Sequence, residues 1–149
     1  HGLLANVEIK PAAGFERQTA EVVARQLPDL WRGAEHPPLI SSFSLEALAI
    51  ARDLAPQIPR GVLFDRLPPG WVGELRRLQA LTLHCNARHV TDEVLAEARA
   101  EGIPVLCYTV NDPAQAQTLF SRGVAALFTD RLDLFSPETS AYKALQLGG

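Results

Sequence analysis

The sequence predicts an α/β protein built on a parallel sheet. Two features carry that reading. Short, nearly continuous apolar runs alternate with amphipathic stretches, as strands buried on both faces alternate with crossover helices. The alternation repeats about five times and ends on a strand. Composition agrees: 47% hydrophobic and 21% charged residues in a chain of 149 supply enough apolar material for a packed core and exclude a disordered one. Two architectures satisfy the pattern. One is an open doubly wound sheet; the other is part of a (β/α)8 barrel, which normally needs about 250 residues.

The elements follow in order. Leu4–Ile9 reads as a strand, stopped by Pro11 and Gly14. Ala20, Val23, Ala24 and Leu27 recur at helical spacing and predict a helix over Thr19–Leu27. Leu39–Phe43 is a strand after Pro37-Pro38. Ser44–Leu54 is a helix with Ser44 as N-cap and Ala47, Ile50, Ala51 and Leu54 on one face. Gly61–Asp65 is a strand, Trp71–Leu78 a short helix, and Leu81–Asn86 a strand. Thr91 caps a helix to Glu101, which Gly102 closes in the left-handed conformation. Val105–Val110 is a strand. Asp112 then caps a helix with Pro113 at its first position and Gln115 placed for a capping box. That helix ends near Gly123, Ala125–Thr129 forms the last strand, and the tail from Leu132 is expected to make a helical turn or two.

Several function classes fall away. A net charge of −3 argues against a dedicated nucleic-acid or anionic-membrane binder. No run approaches the roughly 18–20 apolar residues of a membrane span, and no signal-peptide pattern opens the chain. Cys85 and Cys107 lie 22 residues apart without a C-x-x-C pair, so they read as reduced, buried thiols of a cytoplasmic protein rather than zinc ligands. There is no G-x-S-x-G elbow, no P-loop and no G-x-G-x-x-G fingerprint. With no methionine in the chain, its translational start is expected to lie elsewhere.

In both candidate architectures, chemistry sits beyond the carboxyl ends of the strands. Each end carries polar residues: Glu8 and Lys10, Ser41 and Ser42, Asp65, His84 and Asn86, Tyr108 and Asn111, Thr129 and Asp130. Glu8 and Lys10 are two apart on a strand and point to one face, with Val7 and Ile9 on the other. A carboxylate suits a hard divalent cation and an ammonium suits a phosphate; the alternative is a salt bridge between the two. His84 and Asn86 repeat the spacing and leave Cys85 facing the helices, either as ligand contacts or as polar groups bonded internally. Tyr108 stands in the same relation to Cys107, as a pocket wall or a core aromatic.

The stretches Asn6-Val7-Glu8-Ile9-Lys10-Pro11, Leu39-Ile40-Ser41-Ser42-Phe43, Tyr108-Thr109-Val110-Asn111, and Gly123 with Phe128-Thr129-Asp130 occur in the order and spacing of the glycerophosphodiester phosphodiesterases. The chain resembles that family, most closely its bacterial cytosolic branch, up to about residue 137. The resemblance implies a TIM barrel that hydrolyses glycerophosphodiesters to glycerol 3-phosphate and an alcohol, using Ca²⁺ or Mg²⁺. It implies that Glu8 is a metal ligand, that Lys10 lies near the substrate phosphate, and that Tyr108 lines the pocket where many relatives have Trp. Ser42, Phe43, His84 and Asn86 complete the expected substrate-binding set.

The departures shape the expectation as much as the match. The family's acid and base histidines lie in H-R-G and H-D motifs, and further metal ligands in E-x-D; none occurs in this sequence. The chain therefore reads as the carboxy-terminal portion of such a barrel, from the fourth strand onward, lacking the first three strand–helix units and inactive by itself. Six strands plus three exceed eight, so one of Gly61–Asp65 or Leu81–Asn86 is expected not to be a barrel stave, or to be an irregular one. Open sheet edges are expected to pair with the missing amino-terminal half or with a second copy. The rival reading is a non-enzymatic α/β binding module.

Overall fold

The computed structural model describes residues 4–135. The chain divides into two compact units, His1–Leu83 and His84–Gly149. The expected helical tail begins as a 3-10 turn at Leu132–Leu134; its continuation lies outside the described residues.

The first unit contains β1 (Asn6–Glu8), α1 (Glu16–Leu30), β2 (Leu39–Ser42), α2 (Leu45–Leu54), β3 (Arg60–Phe64) and α3 (Trp71–Leu78). β1 pairs with β2 in parallel, Glu8 opposite Ser41, and β2 with β3, Ser41 opposite Gly61. Registered partners share a face, so Glu8, Ser41 and Gly61 form one row and Val7, Ile40 and Arg60 another. The second face lies under the helices, where Ile40 and Val62 are fully buried. α1 packs on α2. Both helices bury small residues, Ala20 and Ala24 in one and Ala47 and Ala51 in the other, which permits close approach of their backbones.

α1 is longer than its apolar repeat predicts. The repeat marks only the buried face, whereas backbone bonds extend the ends: Thr19 N–H donates to Phe15 C=O and Trp31 N–H to Leu27 C=O. Ser44 caps α2 as expected, accepting from Ala47 N–H at 3.1 Å. Leu54, expected on the buried face of α2, is 42% exposed, because burial of that helix shifts to Ala47, Leu48, Ile50 and Ala51.

Arg60 is the unforeseen residue of this unit. It is buried, and its guanidinium donates to the carbonyls of Leu78, Gln79, Ala55, Pro56 and Ile58 at 2.7–3.4 Å. One cation thus satisfies the carboxyl ends of both α2 and α3, where helix dipoles favour positive charge. Burial pushes its pKa below the ordinary value, and Arg52 adds to that.

β4 (Thr82–Asn86) runs from the end of the first unit into the second. The second unit continues with α4 (Asp92–Ala100), β5 (Val105–Tyr108), α5 (Pro113–Ser121) and β6 (Ala126–Leu127). β5 and β6 are parallel, Cys107 opposite Leu127. Thr91 caps α4 by accepting from Val94 N–H, and Gly102 closes it at φ +67°. Asp112 caps α5, but takes the Ala114 N–H rather than the Gln115 N–H that a capping box requires. Gly123 has φ +101°, and a Cβ there would stand 2.9 Å from Arg99 Nη2.

The doubt about one of Gly61–Asp65 and Leu81–Asn86 is corrected: both are five-residue strands, β3 and β4. Strand order follows chain order throughout. A doubly wound sheet would reverse its order at a switch point, so the barrel alternative is the one that fits.

Candidate active site

In the first unit, Glu8 ends β1 and Lys10 follows two residues later. Both are exposed, while Ile9 between them is buried, as strand alternation requires. No ion pair joins Glu8 to Lys10 among the described residues, so the salt-bridge alternative is not realised. Phe43 follows β2 and is 49% exposed, an apolar group at that strand's end. Asp65 lies exposed just past β3.

Ser42, expected among the substrate-binding residues, ends β2. It is fully buried; its hydroxyl donates to Ile9 C=O at 2.6 Å and accepts from Ser44 N–H at 3.0 Å. The side chain therefore ties the segment after β1 to the entrance of α2. Its neighbour Ser41, on the Glu8 row, is also fully buried. Both serines end the same strand in the sequence, and only the register of β1 against β2 sets Ser41 rather than Ser42 beside Glu8.

In the second unit, His84 is fully buried and its ring packs at 5.3 Å, tilted by 48°, on Phe128. Burial pushes its pKa down to about 4, so the imidazole is neutral at physiological pH. Asn86 is half-buried and its Oδ1 accepts from Arg88 N–H, turning the chain at the end of β4. Tyr108 ends β5 half-buried, with its carbonyl accepting from Ala87 N–H. Cys85 and Cys107 are buried and in contact, Sγ to Sγ 3.8 Å. Their mutual hydrogen bond and burial push the Cys107 thiol up, which keeps it protonated.

Beyond Tyr108, three polar residues satisfy one another. Asn111 Oδ1 accepts from Thr129 Oγ–H at 3.0 Å and Asp130 N–H at 2.9 Å, and its amide donates to Asp130 Oδ2 at 3.4 Å. The Thr129 hydroxyl and the Asp130 backbone are thus engaged by Asn111 just past β6, which is shorter than expected. A cavity of about 230 Å³ in this unit opens at the other, amino-terminal end of β5, beside Arg99 and Val105.

Among the described residues, no group of three or more His, Cys, Asp or Glu side chains converges as a metal site. Glu8 offers one carboxylate, whereas Ca²⁺ takes about six to eight oxygens. The described residues therefore do not by themselves fit a divalent cation.

Residues 1–134 match the family model of the glycerophosphoryl diester phosphodiesterase family. The chain belongs to this family. Among curated relatives, the uncharacterized protein YqiK of Bacillus subtilis is 32% identical over 133 residues, covering 85% of this chain and 52% of that protein. Among solved structures, an Oleispira antarctica phosphodiesterase in complex with the product sn-glycerol-3-phosphate is similar at TM-score 0.78 and 30% identity, over 87% of this chain and 52% of that one. The glycerophosphodiester phosphodiesterase of Thermotoga maritima is similar at TM-score 0.66 and 25% identity, over 89% and 56%. The chain spans about half the length of these relatives. Its fold class is accordingly a partial TIM barrel of the phosphodiesterase type.

Proposed function

We propose that the complete protein hydrolyses glycerophosphodiesters to glycerol 3-phosphate and an alcohol with a divalent cation, Ca²⁺ or Mg²⁺, and that this chain supplies part of its active site. The observation that carries the reading is the pair Glu8 and Lys10, exposed on one face at a strand's carboxyl end and not spent on each other. Family membership and the product-bound relative support the substrate class. Glu8 would be one ligand of the cation, with the other oxygens coming from outside these residues. Lys10 offsets phosphate charge, which matters most as negative charge builds in the transition state. Phe43 would be an apolar wall beside Glu8 in the first unit, and Tyr108 an aromatic group at its own strand end in the second. Ser42, His84 and Asn86, held by burial and backbone contacts, shape the strand ends from behind.

This chain has no H-R-G or H-D histidine to act as acid and base. Alone it is inactive, and it works with the amino-terminal part of the barrel, which docks on the edge strand β1. Two buried free cysteines suit a reducing compartment, the cytoplasm. No described helix is long and apolar enough to cross a membrane.

The test is to mix this chain with the amino-terminal part and assay glycerol 3-phosphate release. Activity in the mixture and none in either part supports the reading. A mixture that forms a complex but never hydrolyses the diester favours the binding-module alternative.

A further inference from the structure

β2 carries two adjacent serines, and adjacent strand residues point to opposite faces. Ser42 is fully accounted for by Ile9 C=O and Ser44 N–H. Ser41 is equally inaccessible to solvent, yet its Oγ has no hydrogen-bond partner among the described residues. It stands opposite Glu8 on one side and Gly61 on the other. Gly61 brings no side chain to the row, so β3 offers the hydroxyl nothing lateral. A buried hydroxyl left unsatisfied destabilises a fold, and alanine at the same place would escape that cost. Stability is commonly sacrificed in this way where a group must be available to a ligand.

We propose that Ser41 is a ligand-binding residue, its hydroxyl bonding an oxygen of the glycerol phosphate that seats beside Glu8. The inference rests on the phosphodiesterase reading and adds to it a residue on a different strand from Glu8 and Lys10. Because the hydroxyl is covered, seating the ligand has to move a side chain of that face. Glu8 stands beside it on that face, exposed and in no ion pair among the described residues. Ser42 serves the opposite purpose, as a buried tie of the frame.

The test uses the complete protein as wild type, S41A, S41C and S42A. Calorimetric titration with sn-glycerol 3-phosphate is combined with thermal unfolding. S41A and S41C are expected to weaken binding about tenfold or more, the scale of one lost hydrogen bond. S41A should melt no lower than wild type, while S42A should melt lower. Wild-type affinity in S41A overturns the proposal. So does an S41A protein that unfolds earlier than wild type, since that result means the hydroxyl is already satisfied within the fold. Failure of the wild type itself to bind glycerol phosphate would instead remove the phosphodiesterase reading, and this inference with it.

Discussion

His84 makes the stability of this protein depend on pH across a window where few other groups titrate. Its pKa is about 4 in the fold against 6.5 as a free side chain, through burial. A histidine depressed in this way is bound by more protons unfolded than folded between those values. Its contribution is therefore present in full above about pH 6.5 and is lost as pH falls toward 4. At 1.36 kcal/mol per pKa unit the whole effect is about 3 kcal/mol, of which about 2 kcal/mol falls between pH 7 and pH 5. Urea unfolding at those two pH values, for wild type and His84→Gln, isolates the effect. The exposed carboxylates of Glu93 and Asp133, both held below their ordinary pKa by hydrogen bonds, act equally in the two proteins and cancel. The wild type should lose about 2 kcal/mol more than the variant over this interval. Equal losses would refute the argument that a buried neutral imidazole carries the dependence.

Other consequences are local. Arg60→Met strips the donors from five carbonyls and should cost about 3 kcal/mol or more by denaturant unfolding. Arg60→Lys should recover little, since an ammonium cannot reproduce the planar fork. Gly123→Ala meets both the left-handed φ and the Arg99 guanidinium, and should lower stability by more than about 1 kcal/mol. Asn111→Leu removes the acceptor of the Asp130 N–H, whose hydrogen exchange should quicken while that of β5 amides stays as in wild type.

What was legible in the sequence was local. Trp71–Leu78 lies where its flanking Pro-Pro-Gly and its own apolar spacing put it. Ser44, Thr91 and Asp112 cap the helices they precede, because a cap depends only on the next turn. Long-range terms were not legible. Arg60 looked like the polar flank of an apolar run, since nothing local announces that the carbonyls of two helices converge on it. Leu54 fits a helical face by spacing, yet is exposed because of what packs on α2. Ser41 and Ser42 are chemically identical in the sequence; register against Glu8 and the bond to Ile9 C=O tell them apart. Glu8, Lys10 and Tyr108 stand at strand ends, where the motifs put them, whereas Asn111, Thr129 and Asp130 are occupied with one another.

The central claim is that Glu8 belongs to a phosphodiesterase active site. Glycerol 3-phosphate release by the complete protein, measured for wild type and Glu8→Gln across a titration of Ca²⁺ and Mg²⁺, tests it most directly. The wild type should require the cation, and the variant, equally stable, should be about a hundredfold slower or worse, the scale of a lost metal-ligand contact. A Glu8→Gln protein with wild-type rates and unchanged metal dependence would contradict it.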